Sequence, residues 1–290
     1  MKPPRFDYLV PRTQDEALAM LAEHGERAKL LAGGQSLIPL LNFRLVQPEA
    51  LVDINRIADL AYVRERNGGL AVGALTRQHA LERSETVRRR LPILAEACRL
   101  IGHLPIRHRG TVGGNLAHAD PASELPAVML ALDAEFVVVA KGARRMLAAR
   151  DFFTGVLSTA LRPGELLAEI RLPGLPPRTG AAFVEMARRA GDFALVGVAA
   201  LLTLDAAGRC QQARLALCGV GPTPIRASEA ERVLIGEAPR GAALEAAAER
   251  AVAATDPPSD IHGSAEFRRK LARYFTRQAL ETDAQRAGGV

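Results

Sequence analysis

Residues able to hold an anion cluster first in "KLLAGGQSLIPLLNFRL", Lys29 to Leu45. An apolar run ends on Gly33-Gly34, and Gln35-Ser36 opens a second apolar, helix-like run. Glycine lets the chain turn sharply, and the first N–H groups of a helix lack intrahelical acceptors. A strand turning on such a pair into a helix is a ready anion cradle, although taken alone the pair serves equally well merely to turn the chain. A second loop, "RGTVGGNLAHADPASELP", sets Gly110, Gly113 and Gly114 beside Thr111 and Asn115, ahead of another apolar segment. Ser36 and Thr111 add small neutral donors, so the two loops suit a diphosphate held from opposite sides. Glu124, downstream, suits hydroxyl groups better than phosphate.

Other chemistry is set aside on spacing. Asp53 follows Gly33 by 20 residues at the end of a strand, where a dinucleotide fold places its ribose-binding acid. The G-x-G-x-x-G fingerprint is nevertheless missing: the glycines are adjacent, Leu37 stands where a third is needed, and the helix contains Pro39. His103, His108 and His118 are spaced by five and ten residues, with no acidic or Cys partner in register, so they make no metal site. Cys98, Cys210 and Cys218 are isolated, with neither a CxxC pair nor a disulfide framework. Asp192 after Gly191 reads as a turn residue rather than a proton donor.

The 290 residues allow two or three modest domains. The formal charge of +6 is spread over interspersed Arg and Glu, and Arg88-Arg89-Arg90 is a solvated helix face. With no Trp and 4% aromatic residues there is no base-stacking platform, so nucleic acid is not an expected partner. "MKPPRFDYLVPRT" lacks the apolar core of a signal peptide and no segment reaches membrane length, which points to the cytoplasm.

The elements that must position these loops follow a β-α-β-α-β pattern first. Thr13 and Glu16 form a capping box for "QDEALAMLAEH", ended by Gly25, and strands cover "AKLLAGG" and "ALVDI". A second unit runs from about Arg56, with "GLAVGAL", a helix capped by Thr76, a helix over "LPILAEACRLIG", and strands at "AEFVVVA" and "ELLAEIRLP". Pro173-Gly174 and Pro176-Pro177 mark its end. Three alternating strands follow, suited to an antiparallel sheet with one covered face, then helices over 242–254 and 264–282, with "QRAGGV" fraying. The boundaries are thus 1–55, 56–176 and 177–290.

"AGGQSLIPLLNFRL", "RGTVGGNLAHADPASELPA" and "RAGDFALVGVAA", in that order, resemble the FAD-binding subunit of the molybdenum hydroxylases. The resemblance is nearest to the medium subunits of aerobic carbon monoxide dehydrogenases and more distant to the xanthine dehydrogenase flavin domain. "SDIHGSAEFRRKLARYFTRQAL" extends it over nearly the whole chain. It implies an α+β fold: a two-subdomain FAD-binding domain of the PCMH or vanillyl-alcohol-oxidase type, then a C-terminal antiparallel sheet with helices. It also implies non-covalent FAD, with Leu30, Leu31, Ala32, Gly33, Gly34, Gln35, Ser36 and Leu37 on one side of the diphosphate. Thr111, Gly113, Gly114 and Asn115 would line the other side. Ile101 would neighbour the adenine half, Glu124 the polar chain, and Phe193 and Leu195 the isoalloxazine.

Relatives commonly carry Asp at the position of Glu124 and Tyr at that of Phe193. The implied role is electron transfer within an oxidoreductase. Electrons from a large molybdenum-cofactor subunit would pass through 2Fe–2S clusters of a small subunit to FAD here, then to an external acceptor. The assembly would be a dimer of heterotrimers, and no catalytic acid, base or nucleophile is required of this chain. The alternatives are a stand-alone FAD oxidoreductase and a flavin-free assembly subunit. On this reading Gly114→Val would abolish flavin binding and spare the fold, its side chain entering only the cofactor's space.

Overall fold

The computed structural model describes residues 1–288. β1 (Asp7–Leu9) leads to α1 (Gln14–His24), where the Thr13 hydroxyl accepts from the Glu16 N–H at 3.2 Å. The Glu16 carboxylate reaches back to the Arg12 N–H at 2.6 Å, one residue before the expected partner. β2 (Ala28–Leu31), α2 (Leu37–Asn42) and β3 (Ala50–Asp53) complete a three-stranded sheet in the order β1-β3-β2, with both pairings parallel. Pro39 lies in the first turn of α2, where its missing N–H breaks no helical bond.

The second unit begins with β4 (Val63–Arg66) and β5 (Gly69–Gly73). Six helices follow: α3 (Gln78–Arg83), α4 (Glu85–Arg90), α5 (Pro92–Leu100), α6 (Leu104–Arg109), α7 (Val112–His118) and α8 (Glu124–Ala131). Its strands β6 (Glu135–Ala140) and β7 (Ala143–Ala148), the small pair β8 (Phe153–Gly155) and β9 (Ser158–Thr159), and β10 (Leu166–Leu172) come last. The main sheet has the antiparallel order β4-β5-β10-β6-β7.

Thr76 does not cap a helix as expected. Its hydroxyl donates to Tyr62 O and accepts from Tyr62 N–H, and α3 starts two residues later. The middle sheet is covered on both faces. Phe136, Val138, Leu167 and Ile170 pack under α5 and α8, whereas Val137, Val139, Leu166 and Ala168 join the core of the first unit. That is why "FVVV" reads as a continuous apolar run.

The third unit is β11 (Thr179–Ala187), β12 (Ala194–Leu204), β13 (Cys210–Cys218) and β14 (Ile225–Arg226), antiparallel in that order. α9 (Ser228–Leu234), α10 (Ala242–Ala253) and α11 (Ala265–Gly288) follow. The expectation of one covered face is corrected here, because every residue of β12 is buried. Ala199, Leu201 and Cys218 face α5 and α8, while Val198, Ala200 and Leu202 face the three C-terminal helices. α11 lies so close that a Cβ on Gly180 would overlap the Asp283 carbonyl. Residues 285–288 of the expected frayed tail are helical, and Gly289 and Val290 lie outside the described residues.

Candidate functional site

β2 delivers the chain into the first glycine loop and α2 carries it away. Gly34 has φ +75°, the left-handed conformation that favours glycine. Among the described residues, the N–H groups of Gly33, Gly34, Gln35, Ser36 and Leu37 donate to no protein acceptor. Ile38 N–H is the first to bond back, to Gly34 O at 3.1 Å. Gln35 Nε2 donates to Gly33 O at 3.0 Å and stiffens the turn. A run of unpaired donors at the start of a helix fits a negatively charged group.

The second loop meets the first. A Cβ built on Gly114 would stand 3.6 Å from Ala32 Cβ, and one on Gly33 would overlap Arg109 O. A polar network locks them together. Asn55 Nδ2 donates to Ala32 O at 2.7 Å, Arg77 Nη2 donates to Asn55 Oδ1 at 2.7 Å, and Arg77 Nη1 donates to Arg109 O. Sequence reasoning missed Asn55 and Arg77. Asn55 lies two positions after Asp53, whose carboxylate accepts from its N–H at 2.9 Å and also from the Tyr8 hydroxyl. Burial alone would raise the Asp53 pKa, but these donors outweigh it and hold it below the usual carboxylate value. Asp53 is thus a structural acceptor, consistent with setting aside the dinucleotide fingerprint.

The second loop is not a row of free donors. Val112 N–H donates to Thr76 O at 3.0 Å, Gly113 N–H to Ala74 O at 2.8 Å, and Asn115 N–H to Thr111 O at 3.0 Å. Gly114 N–H donates to the Thr111 hydroxyl at 3.1 Å, which makes Thr111 the N-cap of α7. Gly113 lets α7 approach Ala74 closely. A Cβ on Gly114 would stand 2.7 Å from Thr111 Oγ1, so Gly114→Val strikes the cap and does not spare the local fold.

Asn115 Oδ1 accepts from the Ser123 hydroxyl at 3.0 Å, which ties the loop to the start of α8 and to Glu124. Glu124 is 4% exposed. Burial pushes its pKa up to about 7, against its own N–H and Ser123, which favour the charged form. Phe193, on the hairpin turn between β11 and β12, is 66% exposed, and Leu195 is buried. Asp192 N–H donates to Arg189 O at 3.1 Å, as a turn residue does. That turn sits on the second unit: a Cβ on Gly191 would be 2.6 Å from His103 Nδ1. Ile101, two residues before His103, is buried, and its carbonyl accepts from Arg107 at 3.1 Å. Leu30 and Leu31 are half-buried in and beside the cradle. All three cysteines are free and buried. Among the described residues no His, Cys, Asp and Glu side chains converge as a metal-binding set, and no helix is long and apolar enough to cross a membrane.

A strand-to-helix cradle with unpaired N–H groups, packed on a second glycine loop and followed by an antiparallel sheet with helices, defines a module able to hold an anionic group. The profile of the FAD binding domain in molybdopterin dehydrogenase matches residues 4–175, and that of the CO dehydrogenase flavoprotein C-terminal domain matches residues 181–282. The chain belongs to this family of molybdopterin-dehydrogenase flavoproteins. It is 45% identical to the 6-hydroxypseudooxynicotine dehydrogenase complex subunit alpha of Paenarthrobacter nicotinovorans, across 99% of this chain and 97% of that one. It is 42% identical to the carbon monoxide dehydrogenase medium chain of Afipia carboxidovorans, across 99% of both. A solved carbon monoxide dehydrogenase from Hydrogenophaga pseudoflava, lacking the Mo-pyranopterin moiety, superposes with a TM-score of 0.96 at 40% identity over 99% of both chains. Family and α+β fold agree with the sequence resemblance.

Proposed function

We propose that this chain is the FAD-binding electron-transfer subunit of a heteromeric molybdenum hydroxylase. The observation that carries the reading is the row of five unpaired N–H groups from Gly33 to Leu37, in a loop packed against the second glycine loop at Gly114. These donors would hold the FAD diphosphate, with Ala32, Leu30 and Leu31 supporting the cradle. Thr111, Gly113 and Gly114 would keep the opposite wall thin, and the Asn115 side chain would supply the polar group there. Glu124 would face the polar chain of the cofactor, with Phe193 against the isoalloxazine, Leu195 beneath Phe193, and Ile101 near the adenine half. FAD, when bound, accepts electrons and passes them on one or two at a time. The protein's part is to hold it, orient it and exclude water.

On this reading residues 1–55 and 56–176 clasp the cofactor and 177–290 covers its ring end. The partners are a small iron–sulfur subunit and a large molybdenum-cofactor subunit, assembled as a dimer of heterotrimers in the cytoplasm. The relatives' names give different substrates, carbon monoxide and 6-hydroxypseudooxynicotine, which fits a substrate chosen by another subunit. The test is to add FAD to the purified chain, alone and co-produced with its neighbouring subunits, then desalt and record the visible spectrum. Stoichiometric FAD released by heat supports the reading. An assembled complex free of FAD overturns it in favour of an assembly role.

A further inference from the structure

The strand alternation of β11 puts Ala181 and Phe183 against α5 and α8, and Val184 against the C-terminal helices. Glu185, two residues past Phe183, therefore points to the α8 side as well. Across the sheet it pairs with Gly197 of β12, and Gly197 pairs with Cys218 of β13. Gly197 puts no side chain between the two, and the row is close-packed: a Cβ on it would be 2.6 Å from Cys218 Sγ and 2.9 Å from Phe183 Cζ. The start of α8 is fixed above the same spot, because Gly219 N–H donates to Pro121 O at 2.8 Å, next to Cys218 and three residues before Glu124.

Two carboxyl-bearing residues from different units thus lie on one side of the sheet, Glu124 buried and Glu185 half-buried. Glu185 Oε2 is buried with no hydrogen-bond partner. Among the described residues no Arg, Lys or His hydrogen-bonds to either carboxyl. The other groups around them bring no cation into play. Asp120 lies on the turn before α8, Cys98 on α5 and Cys218 on β13, and each of the two thiols has its pKa raised first by burial and then by Glu124. Glu96 of α5 is held by Arg286 and accepts from Phe183 N–H. Arg268 of α11 is committed to Leu195 O, Gly219 O and Asp260. Two like charges sharing a low-dielectric site without a counter-ion cannot both ionise near neutrality.

We propose that Glu124 and Glu185 hold one proton between them at neutral pH and so set the charge beside the polar chain of the cofactor, a location that rests on the flavin reading above. Their titration is coupled, with the proton residing mainly on Glu185. Burial pushes Glu185 up to about 8, with Glu124 adding to the shift, and Glu124 itself up to about 7. Nothing in the sequence pattern marks Glu185, since a glutamate in an alternating strand reads as an outward-facing residue.

The test is a pH titration of the protonated-carboxyl infrared band in the full-length, flavin-free chain. Carbon-13 labelling of glutamate separates this band from that of the buried Asp283. The wild-type band should persist through neutrality and vanish at higher pH. E185Q should remove that step, and E124Q should move it down by at least about one pH unit, the mark of coupled sites. Should E124Q fail to fold, E124D, which draws the charge back by one methylene, should move the step in the same direction. A wild-type chain with no such step, or a step that neither Glu124 variant moves, overturns the proposal. FAD affinity of the same chain and of the assembled complex is measured separately. Failure to bind flavin would count against the functional reading and leave the titration result standing.

Discussion

Gly33 and Arg109 meet backbone to backbone: a Cβ on Gly33 would overlap the Arg109 carbonyl and stand 2.8 Å from Gly110 Cα. Neither obstacle is the flexible end of a side chain, so the two loops must part to admit a methyl group. Gly33→Ala should lower stability by about 1–3 kcal/mol, the usual penalty of overpacking. It should also weaken FAD binding at least tenfold, because the cradle moves away from the opposite wall. Thermal unfolding and FAD fluorescence quenching read both. A variant with unchanged affinity would show that the contact positions nothing.

Thr111 and Gly114 form a second testable pair. The Thr111 hydroxyl accepts from Gly114 N–H at 3.1 Å and lies where a Gly114 Cβ would press on it at 2.7 Å. Thr111→Ala removes the cap and should be destabilising by about 1 kcal/mol. Gly114→Ala disturbs the same bond, so the double variant should fall short of the sum of the singles by about 0.5 kcal/mol or more. Urea unfolding of all four proteins completes the cycle. Strict additivity would mean that the alanine methyl is accommodated without moving the cap.

The glycine loops, the Thr13 cap and the apolar runs of β6 and β12 were legible because each is a local pattern. What the sequence concealed is non-local. Thr76 resembles a cap until Tyr62, fourteen residues earlier in the chain, occupies its hydroxyl. The donors of "TVGGN" look free until Ala74 and Thr76 claim two of them. β12 reads as alternating and half-covered because Ala and Gly are weakly apolar, yet both its faces are packed. Asn55, Arg77 and Glu185 acquire their roles only through partners on other elements.

Asp283 predicts a pH dependence of stability. It is 0% exposed on α11, neither carboxylate oxygen has a partner, and Thr276 Oγ1 on the same helix is also unpartnered. Burial raises its pKa well above the ordinary value, with Arg286 opposing and Glu96 reinforcing the shift. A folded-state pKa above the unfolded one means the group's stability is fully present below about pH 4. It is lost as pH rises towards the folded value, at up to about 1.4 kcal/mol per unit. Asp283→Asn removes that dependence. Its stability relative to wild type should therefore climb between about pH 4 and neutrality. Parallel curves across that range would mean the carboxyl is ionised in the fold.

Arg268 is a buried cation that ties together two strand ends of the third unit. It is 5% exposed, and its Nη1 donates to Leu195 O at 2.6 Å and to Gly219 O at 3.2 Å, while Nη2 meets Asp260 Oδ2 at 2.8 Å. One guanidinium thus pins the start of β12, two residues after Phe193, to the end of β13. Arg268→Met fills the same volume but leaves two buried carbonyls and a carboxylate without their donor. It should be destabilising by about 2–4 kcal/mol, because two buried carbonyls lose their donor while the carboxylate left behind is part-exposed. Arg268→Lys keeps the charge without the planar fork and should fall between Met and wild type. Asp260→Asn should be destabilising by no more than about 1 kcal/mol, since that carboxylate is part-exposed. Urea unfolding ranks the three, and hydrogen exchange at Ala194, Leu195 and Gly219 locates the change. Wild-type protection at those amides in Arg268→Met would show that the strand ends hold themselves, and that this arginine does not position Phe193.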